Sequence, residues 1–181
     1  MVSSVIGADM IEIPHRPALG FTLIELVIVI TIIGILAAVA LPRLIDAQRD
    51  ARIAKANAIY GSIRSAAALA RSRCELDIAA VAPSLTATNC ASSPPFVNMD
   101  GNMVRIVNRY PAATADGIES AAQINLAADG LTASSTGTGT ATRTFDVAGG
   151  TVPDCRISYQ EATLSGAVVV APVMSVATSG C

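Results

Sequence analysis

Aromatic residues and histidine are scarce in this 181-residue chain, and their scarcity limits what the protein can be. The chain has no Trp, three Phe, three Tyr and one His, although 52% of its residues are hydrophobic. Ala and Val supply much of that hydrophobicity, so we expect a core of small aliphatic side chains. No nucleic-acid partner is predicted, because a net charge of −2 gives no attraction to phosphate and the aromatic residues are scattered among acids.

The sequence motifs of catalytic and cofactor sites are also missing. No G-x-x-x-x-G-K-[ST], GxGxxG, HExxH, CxxC or G-x-S-x-G pattern occurs in the sequence. Scattered acids such as Glu119 and Asp129 are explained by a solvated surface. We therefore predict a protein that is not an enzyme and that has no cofactor and no metal site.

One long hydrophobic run is present, from Phe21 to Leu41, and its single charged residue is Glu25. At about 1.5 Å per residue, a helix of this length spans roughly the 30 Å hydrocarbon core of a bilayer. A carboxylate inside that core costs about 2.5–3.5 kcal/mol on insertion scales, so an acid retained there is a candidate functional residue. The run predicts a membrane-spanning helix with one functional carboxylate.

The order of a polar leader, Gly20, Phe21, Glu25 and a long apolar helix resembles the class III signal of type IV pilins and type II secretion pseudopilins. The matching stretches are GFTLIEL at 20–26, GILA at 34–37 and ALP at 40–42. The resemblance implies cleavage after Gly20 by a prepilin peptidase and methylation of the new amine on Phe21. It also implies assembly with copies of the chain and related pilins into a helical fibre, in which Glu25 meets the Phe21 amine of an adjacent subunit.

On this interpretation residues 1–20 are a cleaved leader, and Arg16 places them on the cytoplasmic side by the positive-inside rule. Cleavage removes His15, which excludes histidine-based triads and histidine-ligated metals from the mature chain. The chain is expected to cross the inner membrane once before assembly and then to lie in a cell-surface pilus.

The helix is predicted to have two parts, a transmembrane and assembly segment at 21–41 and an amphipathic continuation at 42–77. Gly34 and Pro42 are the expected break points, because glycine is a weak helix former and proline removes a helix hydrogen bond. The continuation has one apolar face with residues three or four apart, namely Ile53, Ala56, Tyr60, Ile63, Ala67, Ala70 and Cys74. It is basic overall and the rest of the chain is acidic, which suits either ordinary surface charge or packing between subunits.

Residues 78–181 are predicted to form a globular head, giving an α+β fold in which the long helix packs on an antiparallel sheet. Strands are expected at 104–107, 143–147, 155–161 and 167–176, with Pro172 placing the last at an edge or at a bulge. Loops are expected at 77–100 and 132–144, the latter being flexible or O-glycosylated, and a short helix at 116–128 capped by Thr114 or Asp116.

Two further features distinguish between a pilin and a pseudopilin. The segment NRYPAAT at 108–114, with Gly117 and Ile118, is similar to part of the mannose-sensitive haemagglutinin pilins. In the family resembled, pilins commonly close their C-terminal region with a disulfide, whereas major pseudopilins commonly lack one. Both features favour a pilin for adhesion or motility over the alternative, a pseudopilin of a type II protein secretion system. A monomeric membrane-anchored binding domain would leave the leader and Glu25 unexplained.

Four cysteines lie beyond the membrane segment, and an even number in an exported domain favours disulfides. Three pairings are possible. Cys74 is at the end of the long helix and Cys90 is in the loop just after it, whereas Cys155 opens a strand and Cys181 is the last residue, which would fray unless tied down. We therefore predict the pairs Cys74–Cys90 and Cys155–Cys181.

Overall fold

The computed structural model describes residues 21–79, 90–137 and 140–181. Its elements in chain order are the helix α1 (Leu23–Ile78), the strands β1 (Phe96–Met99), β2 (Asn102–Val107) and β3 (Tyr110–Pro111), a π-helical turn (Ala115–Glu119), and the strands β4 (Leu131–Thr136), β5 (Thr142–Val147), β6 (Arg156–Gln160), β7 (Thr163–Ser165), β8 (Val168–Val170) and β9 (Val173–Ala177). These elements confirm the α+β class, with a long helix followed by antiparallel sheets.

The chain divides into two compact units, Met1–Arg43 and Leu44–Cys181. In the first unit, residues 23–43 are helical and every described side chain is exposed. The second unit contains the remainder of α1 and all the described strands.

α1 continues as one helix through both predicted break points, Gly34 and Pro42, and a bend at these residues stays a prediction. A proline removes one backbone hydrogen bond, and its ring crowds the carbonyl of the residue four positions earlier. The backbone hydrogen bonds of the turns before and after it can still hold the helix together. A glycine costs only about 1 kcal/mol relative to alanine in a helix. Neither cost is large compared with the many hydrogen bonds of a helix of 56 residues.

The apolar face predicted for the second part of α1 is confirmed. The helix buries Ala56, Ile63, Ala66, Ala67, Ala70, Cys74 and Asp77, and Ile53 and Tyr60 pack at the margin of the core. Alanine at most of the buried positions lets the helix backbone approach the sheet closely, which explains a core that needs few large side chains.

The sheets are antiparallel and mostly sequential. β1, β2 and β3 form one sheet, β7 and β8 form a hairpin, and β4, β5, β6 and β9 form a four-stranded sheet in that order. In the larger sheet Phe145 pairs with Ile157, which pairs in turn with Val176. β4 and β9 are therefore the two edges of the larger sheet, as Pro172 predicts for the last strand.

Two hydrophobic clusters hold the head together. The larger lies between the middle of α1 and the four-stranded sheet and includes Ile63, Phe145, Ile157 and Tyr159. The smaller joins the end of α1 to β1 and β2 through Ala66, Ala70, Cys74, Val97, Val104 and Ile106. Because one helix supplies a wall of both clusters, its orientation against both sheets is fixed by apolar burial.

The buried Tyr159 links the two halves of the head. Its hydroxyl donates a hydrogen bond to the Pro111 carbonyl oxygen at 2.7 Å, which connects β6 to β3. Burial raises the pKa of Tyr159 well above its usual value, and the nearby Glu161 carboxylate and Tyr110 act in the same direction. The side chain therefore remains a neutral hydrogen-bond donor.

The short helix predicted at 116–128 forms only at its start: Ala115–Glu119 is a π-helical turn, residues 120–121 are helical, and the bounds predicted beyond them are wrong. Thr114 makes no side-chain cap, and Gly117 has non-helical backbone angles (φ −99°, ψ −106°). A Cβ at position 117 would overlap the Ala112 backbone, so only glycine fits this close approach. That packing interrupts the helical pattern.

Two loop predictions are also partly wrong. Residues 132–136 and 142–144 are strand, paired as Ser134 with Thr144 and Thr136 with Thr142, and residues 138–139 lie outside the described residues. Threonine is a good strand former, and pairing with β5 makes this polar segment a strand. In the loop predicted at 77–100, β1 is a strand and residues 80–89 lie outside the described part.

The strand predicted at 167–176 is divided into β8 and β9. The interruption falls at Ala171 and Pro172, where a proline cannot donate to a ladder.

Candidate functional site

The apolar first part of α1 is the most unusual surface of the described chain. Among the residues described, α1 is the single helix long and apolar enough to cross a membrane, and that stretch is wholly exposed in the monomer. Exposed fractions of its large side chains include 80% for Leu23, 69% for Ile35 and 62% for Leu41. A continuous apolar surface of this size marks a membrane or protein contact.

The N-terminus of α1 is built by a capping interaction that the sequence analysis did not identify. Thr22 immediately precedes the first helical residue, and its hydroxyl oxygen accepts a hydrogen bond from the Glu25 backbone N–H at 3.3 Å. Thr-x-x-Glu is the pattern of a capping box, and the acid also suits the positive end of the helix dipole. This pattern could have been found in the sequence, and the bond observed joins the Thr22 side chain to the Glu25 backbone N–H.

Among the described residues, the Glu25 carboxylate has no salt-bridge partner. The first basic residue that follows it is Arg43, about five helical turns away. In the mature chain that the predicted cleavage would leave, a counter-charge would come from another molecule or from the new amine at Phe21.

Phe21 and Thr22 lie just before α1, and Phe21 is 75% exposed. Gly20, the other residue of the predicted cleavage point, lies outside the described residues. Further along the helix, the Thr31 hydroxyl donates to the Ile28 carbonyl oxygen at 2.8 Å. This polar group is thus satisfied within the helix and adds no cost in an apolar environment.

Both cysteine pairs in the structure are those that the sequence predicts. Cys74 pairs with Cys90 with 5.1 Å between their Cα atoms, and Cys155 pairs with Cys181 at 4.8 Å. Both separations lie within the usual range for a disulfide. The first bond ties the end of α1 to the segment before β1, and the second ties the start of β6 to the end of the sequence.

The second disulfide belongs to a larger cluster that reaches α1. The Arg52 guanidinium donates from Nε to the Cys181 carbonyl oxygen. Gly150 packs so closely against Cys155 that an added Cβ would lie 2.7 Å from its sulfur atom. The residues around Cys155 and Cys181 therefore hold the β5–β6 turn against α1 at Arg52. Sequence spacing alone does not indicate this role for Arg52.

The acids of the head act in local structure. Asp146 accepts two hydrogen bonds from Arg156, at 2.6 and 2.9 Å, and raises the pKa of that guanidinium. Glu161 accepts backbone N–H groups of Ala113 and Ala141, each at 3.2 Å. Within the described ranges no group of three or more histidines, cysteines or acids could hold a metal ion.

Comparisons with known proteins agree with this geometry. The family model for the prokaryotic N-terminal methylation motif matches residues 16–41. The type IV narrow pilus major component PilA5 of Thermus thermophilus is 55% identical over 53 residues, which is 29% of this chain and 46% of the relative. The chain thus spans about half the length of the curated relative that it matches. No solved structure matches the chain.

The similarity is located in the N-terminal helix. The methylation motif covers the start of the exposed helix, and the relative is a pilus component. The described fold is a long helix packed on antiparallel sheets, as expected for pilins. Together, the motif and the identity to a pilus component show that the N-terminal part of this chain is similar to type IV pilins, and the α+β fold supports this likeness.

Proposed function

We propose that this protein is the structural subunit of a type IV pilus, which polymerises through residues 21–41 into an extracellular fibre for adhesion or motility. The precursor crosses the inner membrane once, with its leader on the cytoplasmic side. A prepilin peptidase cuts after Gly20, and the new Phe21 amine is methylated. The function is structural, and the chain has no enzymatic role.

The observation that carries this proposal is the complete exposure of the apolar part of α1. Burial of one Val, Leu or Ile side chain stabilises by about 1.5–3 kcal/mol, so the large side chains of this segment together represent tens of kcal/mol. That exceeds the about 5–15 kcal/mol of net stability of a typical domain. The segment therefore needs lipid before assembly and neighbouring helices after it.

Glu25 explains why the helix would leave lipid for a fibre. Lipid tails are as apolar as leucine, so the hydrophobic effect hardly distinguishes a membrane from a bundle of apolar helices. A carboxylate does distinguish them, because in the fibre it meets the Phe21 amine of an adjacent subunit, a partner that a single subunit in lipid lacks. Pairing also sets the axial register, since a misplaced subunit would leave both charges buried and unpaired.

The alternative function is that of a pseudopilin, which forms a short periplasmic fibre that drives export of folded proteins. The Cys155–Cys181 disulfide favours the pilin, because major pseudopilins commonly lack a bond closing this region.

The direct test is electron microscopy of cells that carry or lack the gene. We expect surface fibres in the parent strain, their loss on deletion and their return on complementation. Mass spectrometry of sheared fibres should identify this chain as a component. Intact surface fibres in the deletion strain, together with a defect in secretion of folded proteins, would instead favour the pseudopilin.

Replacement of Gly20 should block processing of the precursor. A peptidase must fit closely around the backbone at the cut, and glycine is the residue without a Cβ. We expect Gly20→Val to accumulate as full-length precursor and to form no fibres, whereas the parent gives a mature chain that begins at methylated Phe21. Mass spectrometry of the N-terminal peptide measures both species, and residues 1–20 retained in assembled fibres would contradict the prediction.

A further inference from the structure

A groove of about 430 Å³ lies on the head, in the Leu44–Cys181 unit. One wall is a stretch of α1, and the other is formed around Tyr110 and the segment that enters β9. Its lining residues include Arg64, Ala67, Arg71, Tyr110, Pro172 and Met174. The groove thus combines an apolar floor with two basic side chains.

The two arginines of the groove differ in how firmly they are held. Arg71 donates to the Tyr110 hydroxyl at 2.6 Å, lies 5.2 Å from the centre of that ring and is 3.9 Å from a Glu75 oxygen. Arg64 is exposed and belongs to no salt bridge or side-chain hydrogen bond found in the described ranges. Arg64 is therefore the cation available to an anionic group that enters the groove.

The β5–β6 turn of the same head presents an exposed acid where the groove presents a cation. Val152 is 55% exposed, Pro153 and Asp154 are also exposed, and Asp154 takes part in none of the salt bridges of the described chain. This turn, residues 152–154, is an apolar projection followed by a carboxylate. It is the complement of a groove with an apolar floor and an available arginine.

The turn is held in place by its neighbours. The Thr151 N–H donates to the Gly180 carbonyl oxygen and the Gly180 N–H to the Asp154 carbonyl oxygen, each at 2.9 Å. The Cys155–Cys181 disulfide follows immediately. Because these bonds fix the backbone in the subunit, little conformational entropy would be lost when the turn enters a partner.

The turn and the groove are at different levels along α1. The turn region contacts the helix at Arg52, since Gly149 packs on that side chain and Cys181 accepts its hydrogen bond. The groove begins at Arg64 and extends to Ser72. At about 1.5 Å per residue the offset is about 18–30 Å. Two different patches at different levels make a head-to-tail contact, which does not form a two-fold dimer and generates an open helical filament where the rotation between subunits does not close a ring.

We infer that the 152–154 turn of one subunit docks into the Arg64–Arg71 groove of a second copy of this chain, with Asp154 paired to Arg64. This inference rests on the proposed assembly into a fibre and adds a specific contact between heads. The helix would supply the apolar core of the fibre, and this contact would fix the rotation and axial rise of each head relative to the next.

A charge exchange tests the contact in the full-length protein. We expect Asp154→Arg to reduce the yield of sheared fibres by about fivefold or more, because it faces the groove cations with a like charge. Arg64→Asp should reduce it similarly, and the double variant should restore most of the yield. The control combines Asp154→Arg with Arg105→Asp, which makes the same change in charge outside the groove.

Each outcome is decisive for the contact. Normal yield from Asp154→Arg, no recovery in the double variant, or equal recovery in the Arg105 control would overturn it. Failure of the parent chain to form fibres would instead contradict the proposed function. A benzophenone amino acid at position 152 gives a second measurement, for which we expect intersubunit adducts at residues 64–72 or 171–174. Adducts confined to other segments would also overturn the contact.

Discussion

Cells in which every subunit carries Glu25→Ala are expected to have no fibres, although the variant still enters the membrane. Removal of the carboxylate relieves an insertion cost of about 2.5–3.5 kcal/mol, so insertion should be unchanged or improved. Assembly loses the charge pair that distinguishes a fibre from lipid and sets the register. Fibre yield and the membrane-bound fraction of the variant measure the two effects separately.

Glu25→Gln is the matched control, because it removes the charge and keeps the Thr-x-x-Glu/Gln pattern of a capping box. Thr22 caps the helix at the Glu25 N–H, and glutamine suits this position of a capping box as well as glutamate does. If the charge matters, Gln and Ala should abolish fibres alike. Normal fibres with Gln and none with Ala would show that the capping box alone requires the residue. Normal fibre yield with Ala would contradict both roles.

Loss of the Cys155–Cys181 bond should lower the free energy of unfolding of the head by about 3.5 kcal/mol. That value is the chain-entropy term for a loop whose ends are 26 residues apart. It is a large share of a net stability of about 5–15 kcal/mol. We expect Cys181→Ser to reduce fibre formation without affecting membrane insertion, because the bond lies outside the apolar part of α1.

The measurement is denaturant unfolding of the full-length chain in detergent, with Cys155→Ser, Cys181→Ser and the double variant compared. If the disulfide accounts for the effect, all three variants should lose the same stability, since either change removes the whole bond. Losses that add in the double variant would show that packing of the separate side chains accounts for it. The Cys74–Cys90 bond, with a separation of 16, should contribute slightly less, about 3 kcal/mol.

Local patterns were sufficient to predict the long helix and its buried face. An apolar run such as 21–41 can satisfy its backbone in lipid only as a helix, and the spacing of Ile63, Ala67, Ala70 and Cys74 allows one buried side. The disulfide partners followed because each pair lies close in the chain or at an end that needs fixing. The helix and its buried face depend on residues that are near one another in the chain, so the sequence is enough to predict them.

Segments whose structure depends on distant partners were predicted less well. The helix expected at 116–128 forms only at its start because Gly117 packs against the Ala112 backbone, and the polar segment after Leu131 is a strand because β5 pairs with it. Local propensity describes neither contact.

The sequence by itself determined the apolar helix and its one acid, because periodicity and hydropathy specify them locally, and it indicated the cysteine pairs through their positions in the chain. Only the tertiary structure decided that Arg64 faces Pro172 and Met174 across a groove, and that the Cys181 carbonyl lies at Arg52. These residues are more than a hundred positions apart in the chain. Burial of the alanine face of α1 against the sheet brings them together, and no pattern within either segment indicates the other.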